Sequence, residues 1–455
     1  MKHLSAFTLK WLVGILAVVA LGLPGASAQT PKRVLVVTAT KEFRHDSIPT
    51  AERIIAELGE KSHAFSVDYV RGGKDGKEDA DVVEKMSPEA LKAYDAVIFA
   101  NTTGNLPIPD KDAFIDWIKS GKGFVGMHSA SDTFHGYRPY LDMLGGEFQT
   151  HGAQVCVECL NQDRRHPATR HLKTSWSLWD EIYIIKNFDR AKMHGLLTLD
   201  KHPNTGVPGD YPIAWTKQVG SGRVFYTSLG HRKEVWEDPV YQKHVLEGIR
   251  WALGLVEADA TPQPLEVKLG QAETAAGFKP LFTGTDLKGW KPRNPDGHQS
   301  WSAQNGMLVN VVTPNEHGTD LVSEEKFKDF AIRYEYMVPK GANSGFYLRG
   351  RYEIQIFDDC LADRPEITGN GALYNFKAPA TFVSRPPGEW QTVEATIRGD
   401  KITVILNGVK IHDEVKIEKA TGGELDNNLN EPGPILLQGD HGSVAFRRIR
   451  IKALD

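Results

Sequence analysis

The sequence predicts two folded domains, a mostly parallel α/β sheet followed by an all-β sandwich. Three observations predict this. Buried strand-like runs alternate with helical periods over 32–254, and the apolar period then disappears over 255–276, as expected of a linker. Over 277–453 short alternating segments are separated by Gly-, Pro- and Asn-rich turns. Alternating buried strands and helices imply a sheet covered on both faces, and short strands with regular turns imply a two-sheet sandwich.

The first 28 residues read as a secretory signal. Lys2 and Lys10 flank the start, Trp11 to Leu23 form an apolar run, and Ala26-Ser27-Ala28 offers small residues before Gln29. That order is the pattern of a cleaved leader, and the run falls short of the ~20 residues of a membrane span. The expected location is therefore periplasmic or extracellular, with no stable membrane span after cleavage.

In the first domain the apolar run Arg33 to Ala39 precedes a helical period over Ser47 to Gly59. Further strands are expected at Phe65–Val70, Asp95–Ala100, Gly123–His128 and Arg223–Ser228. Val245, Ile249 and Leu253 give the closing helix its apolar stripe, and Gly254 ends it. In the second domain, strands are expected at Phe330–Met337, Asn343–Leu348, Tyr352–Phe357, Thr392–Arg398, Thr403–Leu406 and Val444–Ile451. Asn407-Gly408 marks a hairpin.

Composition narrows the function classes. The formal net charge is −4, and losing residues 1–28 removes two lysines and no acid. Such a chain has no basic field for nucleic acid. The three cysteines, Cys156, Cys159 and Cys360, form no disulfide framework. Cys156 and Cys159 sit in a predicted strand, where three steps separate them by ~10 Å, beyond disulfide reach. Buried, inert thiols are expected.

Ligands of open α/β sheets bind beyond the carboxyl ends of the strands. Those ends carry His45, Asn101, His128, Ser129 and His231, while His151 and Asp180-Glu181 lie in connections that can reach the same edge. Several histidines with a carboxylate suit a sugar pocket or a divalent metal, though no cofactor is required by the pattern. Phe43 to Ile48, Gly123 to Asp132, Gly222 to His231 and Trp251 to Gly254 resemble the trehalose-utilisation (ThuA-like) family. The resemblance implies a flavodoxin-like sheet related to class I glutamine amidotransferases, and a role in sugar catabolism. The amidotransferase nucleophile would stand at the elbow that holds His128 here, so thiolate chemistry is not expected. The G-x-S-x-G frame of a serine hydrolase is also absent, because His128 takes the serine slot.

In the second domain a three-residue loop, Arg349-Gly350-Arg351, places Leu348 opposite Tyr352. Phe346, Ile354 and Ile356 then share the apolar face. The other face carries Asn343, Tyr347, Glu353 and Gln355, with Arg349 at its edge and Glu335 joining from the preceding strand. An acid, amides, a phenol and a guanidinium can hold sugar hydroxyls; the same set also suits an ordinary wet face.

The run Phe278 to Trp290, Asn343-Ser344-Gly345, Tyr352 to Ile356, Gly371 to Tyr374, Pro386 to Trp390, His441-Gly442 and Phe446 to Ile449 resemble the 3-keto-disaccharide hydrolase family. This family is also described as 3-keto-glucoside 1,2-lyase/hydratase. Phe357-Asp358-Asp359 departs from the family, many of whose members place an aliphatic residue before one acid. The resemblance implies a concanavalin-like jelly-roll fold and a small carbohydrate substrate. A C3 ketone acidifies the C2 hydrogen, a base removes it, the C1 aglycone leaves, and water adds to the enone. This needs a base, an enolate stabiliser and an acid, but no glycosidase carboxylate pair. The roles fall to Glu353 as base, Arg349 or a metal at the enolate, and His441 as proton donor. Asn343, Tyr347, Gln355, Glu335 and Asp358 are expected around the sugar, with Trp290, Trp301 and Trp390 as stacking candidates. The rival reading is a non-catalytic carbohydrate-binding sandwich attached to a sugar-processing first domain.

Overall fold

The computed structural model describes residues 30–72, 79–263, 268–313 and 315–454. The expected leader over 1–28 lies outside the described residues. Among them, no helix is long and apolar enough to cross a membrane.

The first domain has strands β1 (Lys32–Val37), β2 (Phe65–Val70), β3 (Ala96–Ala100), β4 (Gly123–Met127), β5 (Glu147–His151) and β6 (Val155–Asn161). It continues with β7 (Ser175–Asp180), β8 (Tyr183–Lys186), β9 (His194–Lys201), β10 (Pro208–Val219) and β11 (Gly222–Thr227). Nine of them form one sheet in the order β2-β1-β3-β4-β11-β10-β9-β6-β7. The first five are parallel, as their continuous apolar runs predict. The remaining four extend the sheet antiparallel, and β5 pairs separately with β8.

Strand alternation divides the core into two layers. Val34 and Val36 pack with Ala51, Ile54 and Ile55 of the helix Ile48–Ser62 on one face. Leu35 and Val37 pack with Phe114 and Ile115 of the helix Lys111–Lys119 on the other. Because β1 lies between β2 and β3, its carboxyl end opens at the switch in strand order where such sheets bind ligands.

The second domain has β12 (Lys279–Pro280), β13 (Trp290–Pro292), β14 (Trp301–Gln304), β15 (Met307–Asn310), β16 (Leu321–Phe327), β17 (Phe330–Met337) and β18 (Asn343–Leu348). These are followed by β19 (Tyr352–Phe357), β20 (Gln391–Arg398), β21 (Lys401–Leu406), β22 (Val409–Lys416), β23 (Gly433–Leu437) and β24 (Val444–Ala453). One sheet runs β14-β15-β24-β17-β20-β21-β22, with β12 paired to β24; the other runs β13-β16-β23-β18-β19. Their inner faces enclose a single aromatic and aliphatic core that includes Tyr334, Phe346, Ile354, Ile397 and Phe446. Leu348 does pair with Tyr352, so burial selects the predicted register.

One reading gains detail and one changes. The segment 255–276 carries a helix, Gln271–Ala275, whose Glu273 accepts a 2.6 Å hydrogen bond from Arg450 Nε on β24. Cys156 and Cys159 do fall on one strand, but Cys159 is buried while Cys156 is exposed. Three strand steps turn them to opposite faces.

Candidate functional site

Each domain gathers a polar cluster, by different means. In the first, four strand ends converge. His45 follows β1, Asn101 follows β3, His128 follows β4 and His231 follows β11. His128 has φ +47°, a left-handed backbone that a bulky side chain adopts only when its surroundings enforce it. They do so here: Tyr226 Oη donates to the His128 carbonyl at 2.8 Å, and Ser228 O stands 2.8 Å from His128 Nδ1.

His128 Nε2 lies 3.1 Å from His45 Nε2 and 3.3 Å from His231 Nδ1. Glu181 Oε1 stands 3.1 Å from His231 Nδ1, and its Oε2 stands 3.2 Å from His151 Nδ1. Ser129 Oγ is 3.4 Å from His45 Nδ1. Burial lowers the His45 pKa to about 4 and holds His128 well below the usual histidine range. Burial opposes charge on His231 as well, but the hydrogen bond to Glu181 raises its pKa. Asn101 braces the site from behind: its Nδ2 donates to Ser47 Oγ and to Gly230 O, each at 3.1 Å. The structure thus brings the first-domain residues together as expected, and His45, His128, His231 and Glu181 present donor atoms that could hold a metal.

Asp180, next to Glu181, holds the site in shape. It accepts from the Gly230 and Arg232 amides at 2.8 and 3.2 Å, pinning the loop that carries His231.

In the second domain the site lies on the outer face of the five-stranded sheet. The register aligns Lys291, Val322, Leu436, Tyr347 and Glu353 in one row. The next row on that face carries Gly345 and Gln355, and Gln438 N bonds to Gly345 O at 2.9 Å. This face is covered rather than solvated: Glu353 is 2% and Gln355 4% exposed. The segment 421–425 crosses it. Thr421 Oγ1 accepts from Glu353 N at 2.8 Å, and Arg293 donates to Gly423 O and Glu424 O at 2.8 and 3.0 Å. Leu425 packs on Tyr347, Val322 and Leu436.

Tyr347 Oη donates to Glu353 Oε2 at 2.8 Å. A Cβ on Gly345 would collide with Glu353 Oε1, so the glycine makes room for the carboxyl. Burial raises the Glu353 pKa to about 7, against the Tyr347 hydrogen bond and the charge of His441, with Asp320 and Asp440 pushing it further up. Asn343 Oδ1, Gln355 Oε1 and Gln438 Oε1 are buried without a hydrogen-bond partner. A buried carboxyl poised near neutrality and three unsatisfied acceptors can receive a proton and several sugar hydroxyls.

Three expected site residues go elsewhere. The Arg349 guanidinium is 1% exposed, bonding to Lys328 O, Leu429 O and Asp329 Oδ1 at 2.5, 3.3 and 2.8 Å. With φ +55° at the hairpin corner, it braces the turn instead of facing Glu353. Glu335 belongs to the opposite sheet, where Arg447 and Arg448 hold it at 2.7 and 3.1 Å. Asp358 caps Gly341 N at 2.8 Å, which makes it a turn residue. Among the tryptophans, Trp290 and Trp301 are core, and Trp390 Nε1 bonds across to Asp200 of the first domain at 2.7 Å. His441 is exposed beside Asp440, with which it hydrogen-bonds. Asp320, Gln438 and Arg293 were missed because each flanks a strand, β16, β23 or β13, that only long-range pairing brings into the sheet of the site.

A family model described as trehalose utilisation (ThuA) matches residues 33–252, and one described as a 3-keto-alpha-glucoside-1,2-lyase-like domain matches 277–452. The chain is a ThuA domain joined to a 3-keto-alpha-glucoside-1,2-lyase-like domain. A protein of Bacteroides thetaiotaomicron named 3-keto-disaccharide hydrolase is 28% identical over 40% of this chain and 80% of its own length. A crystal structure of a provisionally named glycosyl hydrolase from Parabacteroides distasonis is 28% identical. The match covers 39% of this chain and 84% of that one, with a TM-score of 0.33. A provisionally named ThuA-like protein from Bacteroides uniformis is 22% identical, over 51% of this chain and 95% of its own, with a TM-score of 0.42. The matched families give the lyase-like domain a carbohydrate-processing role.

Proposed function

We propose that the second domain cleaves 3-keto-glucosides at the face around Glu353. The observation that carries this is the Glu353 carboxyl itself, buried beneath 421–425, raised to about 7 and bordered by three unpartnered acceptors. A carboxylate with this pKa is matched to proton abstraction near neutral pH.

In this reading Glu353 takes the C2 proton and the electron pair moves into the C3 carbonyl as an enolate. Tyr347, released from the neutralised carboxyl, turns its hydroxyl to the C3 oxygen. Collapse of the enolate breaks the C1–O bond, and His441 protonates the departing aglycone. Water then adds at C1 of the enone with loss of its proton to His441, while Glu353 returns a proton to C2. The sum is hydrolysis, with both side chains restored. Asn343, Gln355 and Gln438 accept hydrogen bonds from sugar hydroxyls. Export through the leader at 1–28 would put this activity in the periplasm or outside the cell.

Incubation with 3-keto-trehalose and 3-keto-sucrose tests the reading. Release of 3-keto-glucose and free aglycone is expected. Tight sugar binding without turnover would establish a binding domain instead.

A further inference from the structure

The first domain holds a second site that the chemistry at Glu353 does not use. We propose that His45, His128, His231 and Glu181 bind one divalent first-row transition-metal ion. Donor atoms about 2.1 Å from a common ion stand about 3.4 Å apart in a tetrahedron. Here His45 Nε2 to His128 Nε2 is 3.1 Å, His128 Nε2 to His231 Nδ1 is 3.3 Å, His231 Nδ1 to Glu181 Oε1 is 3.1 Å and His128 Nε2 to Glu181 Oε1 is 3.8 Å. All four donors lie within 4.8 Å of one another.

The hydrogen bonds around the cluster orient lone pairs inward. The Ser228 carbonyl accepts only from a protonated Nδ1 of His128, which leaves Nε2 bare in the neutral ring. That single lone pair faces two imidazole nitrogens and cannot accept well from both. A metal ion at the centre satisfies all the converging lone pairs together. Ser129 Oγ at His45 Nδ1 and His151 Nδ1 at Glu181 Oε2 supply the outer contacts that fix ligand orientation in metal sites.

The ligands are also held in advance of binding. Gly230 O accepts from Ser47 Oγ, Asn101 Nδ2 and Trp236 Nε1 at 3.3, 3.1 and 2.8 Å. With Asp180 on the flanking amides, this fixes the turn bearing His231. Three imidazoles with one carboxylate select zinc, cobalt, iron, nickel or manganese over magnesium and calcium, which prefer all-oxygen shells. A cleft of 430 Å³, lined by Arg44, Asp46, Gln154, Arg232 and Lys233, reaches His45 and His231. The ion can therefore be reached by water and by an oxygen ligand.

The test is metal content and spectrum of the untagged full chain. Elemental analysis after dialysis should find on the order of one transition-metal ion per chain. Cobalt added to chelator-stripped protein should give visible d–d absorption and raise the Tm. His231→Gln, at a half-buried ligand, and Glu181→Gln should each lower bound metal at least about tenfold. If a variant fails to fold by circular dichroism, the wild-type cobalt titration alone decides. Stripped wild-type protein that shows neither cobalt absorption nor a Tm shift with zinc, cobalt or manganese would overturn the proposal. So would undiminished metal content in both folded variants.

Discussion

The two polar clusters differ in what holds them. Around His128 the backbone itself is unusual: a left-handed elbow, loops from four strand ends, and a carboxylate, Asp180, binding two amides of one turn. Around Glu353 the backbone is ordinary antiparallel sheet, and the site follows from which residues share a face. Strain and convergence build the first site; register and burial build the second. Changes that shift register or uncover Glu353 should therefore act on turnover, whereas changes to braces should act on stability.

The largest effect is expected at Glu353. Glu353→Gln keeps the Tyr347 hydrogen bond and deletes the base, so turnover of a 3-keto-glucoside should fall by about 10²–10⁴ in steady-state assays. The same variant sharpens the burial argument. A carboxyl whose folded pKa is about 7, above its ordinary 4.5, binds protons more tightly when folded. Its stability contribution is fully present below about 4.5 and is lost as pH rises through 7. Glu353→Gln should thus melt above wild type at pH 8, and the gap should close towards pH 4.5. An equal gap at both pH values would show that Glu353 is not buried as described.

Next in size is a brace. Arg349→Met takes the donor from Lys328 O and one of two donors from Leu429 O and from Asp329, which should cost about 2–3 kcal/mol in chemical denaturation. Turnover per folded molecule should hold; a selective loss of turnover would restore Arg349 to the enolate.

A smaller effect is expected over the covered face. Gly423 has φ +68°, and a Cβ there would stand 2.7 Å from Tyr347 Oη. Gly423→Ala should strain the crossing segment and reduce kcat/KM about tenfold. Unchanged kinetics would mean the segment plays no part in shaping the site.

The smallest shift is in the pH profile at Tyr347, where it accompanies the loss of turnover expected from removing the enolate's hydroxyl donor. The Tyr347 hydroxyl lowers the Glu353 pKa against burial, so Tyr347→Phe should move the acid limb of the pH–rate profile to higher pH. No movement would separate the phenol from the base.

Local pattern exposed much of this. Continuous apolar runs gave the five parallel strands, and the alternation on either side of Arg349-Gly350-Arg351 gave the register that puts Tyr347 beside Glu353. The antiparallel extension was less legible, because β7 alternates half-exposed residues without an apolar run. Partners supplied by distant strands were hidden for a different reason: nothing local in Asp320, Gln438 or Arg293 says that β13, β16 and β23 will join β18 in one sheet. Arg349 and Glu335 misled because both have the right chemistry at plausible alternation. Tertiary partners, Asp329 for one and Arg447 for the other, decide where they point.

The central claim is that Glu353 removes the C2 hydrogen, and isotope exchange at that carbon tests it most directly. Cleavage of a 3-keto-glucoside in deuterated water, followed by proton NMR and corrected for exchange without enzyme, should place deuterium at C2 of the released 3-keto-glucose. In Glu353→Gln both exchange and cleavage should fall together by at least about a hundredfold. Cleavage or C2 exchange that persists undiminished in the variant would contradict the account.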